Sequence, residues 1–106
     1  MSTGFCIVLT TFDNEDLAKC LARTIVENKL AACATILPRV TSVYIWEGQL
    51  EEASEFVMLI KTHQDKAEDL MSYIKSNNVY TVPEIIQLPI TGGNQAYLDW
   101  VKSSLS

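Results

Sequence analysis

Thr41–Thr62, TSVYIWEGQLEEASEFVMLIKT, is the stretch whose reading decides the fold. It reads as two strands folded about Glu47-Gly48, with apolar residues on both faces. Successive strand side chains point to opposite sides. Tyr44 and Trp46 therefore share one face, and Val43 and Ile45 the other. In the return strand Phe56, Met58 and Ile60 lie on one side and Val57 and Leu59 on the other. An antiparallel hairpin usually keeps one wet, polar face. In a chain of 106 residues the helices can cover only one face of a sheet. The second face is expected to pack against another copy of the chain.

Length and composition narrow the classes. At 106 residues and 48% hydrophobic content the chain reads as one domain, 1–106. No run of about 18 apolar residues exists, which argues against a transmembrane helix. The start, MSTGFCIVLTT, lacks the basic and long apolar regions of a signal peptide, so a cytoplasmic location is expected. A net charge of −5 argues against nucleic acid, whose phosphates demand a basic surface. Cys6, Cys20 and Cys33 form an odd set without CxxC spacing, and all three are read as small core residues.

Phe5–Thr11 is β-branched and apolar, as in a buried strand. Asp13 is placed to cap a helix over about Asn14–Asn28, in which Leu17, Leu21 and Ile25 recur every four residues. Leu30–Leu37 reads as a second strand, stopped by Pro38. The hairpin supplies two more. A second helix is expected from Gln64 or Asp65, with Ala67, Leu70, Met71 and Ile74 on its buried side, ended by Asn77-Asn78 in a left-handed turn. Glu84–Ile90 reads as a last strand. Asn94 then caps a final helix with a buried stripe of Tyr97, Leu98 and Val101. The order is β-α-β-β-α-β plus a C-terminal helix, the α+β ferredoxin-like split βαβ arrangement with an antiparallel sheet. Right-handed crossovers place both main helices on one face of that sheet.

Six strings add a resemblance. Leu30-Ala-Ala-Cys-Ala34, Thr41-Ser-Val-Tyr-Ile-Trp-Glu-Gly48, Leu59-Ile-Lys-Thr62, Val82-Pro-Glu-Ile-Ile86, Leu88-Pro-Ile90 and Tyr97-Leu-Asp-Trp100 resemble the CutA family in order and spacing. They span roughly Val8 to Val101. The resemblance implies a tight homotrimer similar to PII signalling proteins, with hairpin strands that cross subunit boundaries. Val43, Tyr44, Ile45 and Trp46 are the expected interface residues. It also implies a role in divalent cation tolerance, no enzymatic reaction and no obligatory cofactor. The ion associated with some members is copper. Where relatives carry His-Pro-Tyr this chain has Asn78-Val-Tyr80, preceded by Asn77, and the first-strand cysteine of some relatives falls on Thr10. Copper prefers thiolate or imidazole, so amide and hydroxyl groups make copper binding weak.

The candidate site residues are Lys61, Asn77, Asn78, Tyr80 and Glu84. Glu84 is the one charged candidate for a metal, at an inter-subunit cleft. Against each stands a structural reading: Glu84 as a strand-end ion pair, and Lys61 as a snorkelling strand end. Tyr44, Trp46, Tyr80 and Trp100 are apolar enough to line a pocket, although packing between copies also explains Tyr44 and Trp46. His63, the single histidine, has no companion ligands and is read as exposed or bonded at a helix start. The alternative function is a PII-like module that binds a small anionic ligand between subunits and signals to a partner protein.

Overall fold

The computed structural model describes residues 3–106. The chain folds in the order β1 (Phe5–Phe12), α1 (Glu15–Glu27), β2 (Cys33–Trp46), β3 (Gln49–His63), α2 (Gln64–Asn77), β4 (Ile85–Pro89) and α3 (Gln95–Ser104). The four strands form one sheet in the order β2-β3-β1-β4. Every pairing is antiparallel. This is the expected split βαβ arrangement.

The hairpin turn is as short as a turn can be. Glu47 and Gly48 have φ of 51° and 80°, with Trp46 paired to Gln49 on either side. Two successive residues with positive φ make the type I′ turn, whose twist matches that of the strands it joins. Gly48 takes this conformation without a Cβ penalty; Glu47 pays one.

Pro38 does not stop the second strand, as expected from its missing N–H. The segments read as two strands, Leu30–Leu37 and the first arm of the hairpin, are one strand. It pairs with β3 through Leu37↔Val57, shifts register, and resumes at Val40↔Glu55. Pro38 and Arg39 together face the single residue Phe56. Such a bulge takes one unpaired residue out of the ladder, and a proline is tolerated there. Arg39 has φ of 44° at this point.

Both main helices lie on one face. Val8, Phe12, Met58 and Ile60 of the sheet pack with Ala18, Leu21 and Ile25 of α1 and with Leu70 and Ile74 of α2. The helix starts use polar caps. Asn14, rather than Asp13, caps α1 by accepting the Leu17 N–H at 2.8 Å. His63 Nδ1 accepts the Asp65 N–H at 3.2 Å, the structural role read for it above. Asn94 Oδ1 accepts the Ala96 N–H at 3.0 Å. At the end of α2, Asn78 has φ of −93° and ψ of 146°, so the chain leaves the helix directly into extended backbone. The expected left-handed exit is absent there. It occurs instead after α1, at Lys29 with φ of 58°.

The other face carries Ile7, Leu9, Leu37, Val57, Leu59, Ile86 and Leu88, by register with one another. α3 covers one end of that face: Leu98, Val101 and Leu105 bury Phe5 and Ala32. Tyr97 is exposed, so the buried stripe of α3 is Leu98 and Val101 alone. Of the three thiols only Cys6 is a core residue; Cys20 is exposed and Cys33 half-buried. The remainder of the face, with Leu37, Ile86 and Leu88 exposed, is uncovered in the single chain.

Thr10 is fully buried on the helix side, and its hydroxyl has no hydrogen-bond partner among the described residues. A buried hydroxyl without a partner costs roughly 1–3 kcal/mol. Thr10→Val, which keeps the shape and removes the hydroxyl, is expected to raise stability by about 1 kcal/mol in urea denaturation. A lowered midpoint would contradict the orphaned hydroxyl.

Candidate functional site

The bulge fixes which side chains of the hairpin meet. Val40, Ser42, Tyr44 and Trp46 pair with Glu55, Ala53, Glu51 and Gln49. Directly opposed residues share a face, so Ser42, Tyr44, Trp46 and Glu55 project to the face away from the helices. Thr11 joins them from β1, opposite Val57. The segment between α2 and β4 then closes over this area with Tyr80, Thr81, Val82 and Glu84. The result is a groove with a volume of about 600 Å³, lined by these residues and Val43.

Its centre is a hydrogen bond. The Tyr80 hydroxyl donates to Glu55 Oε2 at 2.8 Å. Glu55 is buried, at 7% exposure, although it comes from a strand and carries a charge. The Asn78 side chain holds Tyr80 in place from two directions. Its Oδ1 accepts the Tyr80 N–H at 3.0 Å, and its Nδ2 donates to the Thr11 carbonyl at 3.3 Å. Such a side-chain turn is typical asparagine chemistry. Burial pushes the Tyr80 phenol above the usual tyrosine range, and the hydrogen bond to Glu55 and its charge add to the effect.

Of the sequence candidates, Tyr80 and Glu84 line the groove, and Asn78 positions Tyr80 from behind it. Asn77 does not take part: it sits in the last turn of α2 and donates to the Tyr73 carbonyl at 2.8 Å. Lys61 is also elsewhere. It lies six residues along β3 from Glu55, roughly 20 Å away at the usual strand rise. Its ammonium donates to Thr35 Oγ1 at 2.6 Å and approaches Cys33 Sγ at 3.7 Å. Thr10 faces the core on the opposite side of the sheet from the groove, so this position offers it no ligand. Tyr44 and Trp46 line the groove, whereas Trp100 packs on Tyr97 with ring centroids 5.6 Å apart. Glu55 was not singled out from the sequence. Its one signal is an acidic residue at the same strand parity as Val57 and Leu59.

The family model described as CutA1 divalent ion tolerance protein matches residues 6–104. The chain belongs to this family. The divalent-cation tolerance protein CutA of Thermus thermophilus is 42% identical over 98 residues, 92% of this chain and 95% of that protein. The chloroplastic protein CutA of Arabidopsis thaliana is 47% identical over 98 residues, which cover 92% of this chain but 54% of the plant protein. The chain thus spans about half the length of the first plant relatives. The crystal structure of CutA1 from Oryza sativa superimposes with a TM-score of 0.93 at 41% identity, covering 99% of this chain and 96% of that one. The recognition made on six strings of residues therefore holds for CutA membership and for the fold. No helix among the described residues is long and apolar enough to cross a membrane.

Tyr80 gives a pH-dependent expectation. The unfolded chain releases a tyrosine proton near pH ~10, while the folded protein holds the Tyr80 proton to higher pH. A raised folded value contributes stability that is present below the unfolded one and lost as pH rises through the folded one. Tyr80→Phe leaves Glu55 without its donor and is expected to cost about 1–2 kcal/mol at neutral pH. The variant should also lose stability less steeply than the wild type above about pH 10. Urea midpoints at both pH values check this; parallel losses would assign Tyr80 an ordinary ionisation.

Proposed function

We propose that this CutA chain acts in divalent cation tolerance by binding cations weakly in the Tyr80–Glu55 groove, at clefts between the subunits of a cytoplasmic homotrimer. The observation that carries the reading is the groove's charge. Two carboxylates, Glu55 and Glu84, line it, and no lysine or arginine does. A groove of this kind attracts cations and disfavours the small anion of the alternative reading.

The donors are oxygens: carboxylates, the Tyr80 phenol and the hydroxyls of Thr11, Thr81 and Ser42. Oxygen suits hard ions such as manganese, magnesium or calcium, and suits copper poorly. Among the described residues no group of three or more His, Cys, Asp and Glu converges as a metal cage. A metal ion here would complete its coordination with water or with groups of a neighbouring copy, which is why the binding is weak. The reading involves no catalytic step.

The trimer is supported by apolar surface. On the hairpin, Val43, Ile45 and Leu50 are 60%, 71% and 72% exposed, and Leu37, Ile86 and Leu88 leave the sheet face open. Exposed apolar area on this scale marks an interaction surface. Three free thiols fit a reducing compartment.

Two measurements test these statements. Light scattering at micromolar concentration should give about three times the 11.8 kDa chain mass, and Ile45→Asp should lower it; a stable wild-type monomer would remove the interface argument. In competitive titration manganese should bind weakly and Glu84→Gln should weaken it further. Copper should bind no more tightly once Cys20 and Cys33 are changed to serine. Tight copper binding lost in Glu84→Gln would overturn the preference for hard ions.

A further inference from the structure

Glu55 is 93% out of solvent by its 7% exposure, and its hydrogen-bond partner is a neutral phenol. The ion pairs among the described residues are Lys19–Glu15 and His63–Asp65, so no basic side chain answers it. A buried carboxylate is costly unless a positive charge meets it. Two features of the groove around it go beyond what a metal ion uses. It is wide, about 600 Å³, within the range of roughly 300–1,000 Å³ typical of pockets for small organic molecules. It is also walled by aromatic rings: Tyr44 and Trp46 project from β2 on the face of Glu55, and Tyr80 closes the other side. Aromatic faces attract a cation through their quadrupole and do so best for large, weakly hydrated ions. A small hydrated metal ion gains little from such walls.

We propose that the groove binds a small organic ammonium ion, with the charged nitrogen between Glu55 and Glu84 and the alkyl body against Tyr44. The inference rests on the groove being a cation site, but not on its being a metal site. Glu55 supplies the charge, Tyr80 orients Glu55, and the Tyr44 ring selects an organic cation over an inorganic one.

The test is calorimetric titration of the assembled protein at low ionic strength, where exposed charges are least screened. The probes are tetramethylammonium and 1,4-diaminobutane, with 1,4-butanediol as the neutral control and manganese(II) in parallel. Both ammonium ions should bind saturably and the diol should not. Glu55→Gln keeps an acceptor for the Tyr80 hydroxyl and removes the charge; it should weaken the ammonium ions by about tenfold or more. Tyr44→Leu should weaken them about tenfold and leave manganese unchanged. Since that variant touches a surface also proposed for assembly, Tyr44→Phe is the companion: it keeps a ring and should retain binding within about threefold. Manganese binding without ammonium binding overturns this inference and leaves the metal reading standing. Ammonium binding without manganese binding upholds it and removes the metal reading. Ammonium binding unaffected by Glu55→Gln, or lost equally in Tyr44→Phe and Tyr44→Leu, overturns it.

Discussion

Two residues set against one, Pro38 and Arg39 opposite Phe56, determine which side chains of the hairpin meet on the open face of the sheet. If the same sequence paired without the bulge, the alternation established by Cys33, Thr35 and Leu37 would continue unbroken along β2. Tyr44 and Trp46 would then turn to the helix side of the sheet, and Val43 and Ile45 would face the area around Glu55. A one-residue change of register exchanges the faces of every residue beyond it. The bulge therefore joins the uncovered apolar sheet face to an aromatic and acidic groove, on one continuous surface.

The elements with strong local signals were legible. Leu17, Leu21 and Ile25 gave α1, and Ala67, Leu70 and Ile74 gave α2, because their spacing survives any detail of packing. The hairpin was legible for the same reason, with period two in place of 3.6. What escaped was decided by pairing. Pro38 argues against a strand locally, yet the neighbouring β3 accommodates it as an unpaired bulge residue. Cys20 sits in a helical pattern but on the side of α1 away from Ala18, Leu21 and Ile25, where the structure leaves it exposed. Asp13 and Asn14 are both competent caps, and the difference between them is a single residue of helix start.

The candidate site was half legible. Glu84, inside the Val82–Ile86 string of the resemblance, and Tyr80, beside the Asn77-Asn78 pair, are legible in the sequence, and both line the groove. Glu55 is not legible there, because its meaning comes from Tyr80, 25 residues away in sequence. A glutamate in a strand reads as a solvated charge until the segment that buries it is known. Lys61 stands out in the sequence as a lysine at the end of an apolar strand, and the length of β3 separates it from them. Asn78 shows a different lesson. As a replacement for a ligand-type residue it reads as a loss, whereas both of its amide atoms are engaged in placing Tyr80.

The position of β1 has a consequence for synthesis of the chain. It precedes the other three strands in the chain, yet it lies inside the sheet, between β3 and β4. Until residue 63 has emerged neither edge of β1 has its partner, and until residue 89 has emerged one edge remains open. Unpaired strand edges are templates for wrong pairing between chains. On a polysome, where several nascent copies lie close together, the interval between β3 and β4 is when this chain is most exposed to misassembly, and β4, only five residues long, ends it.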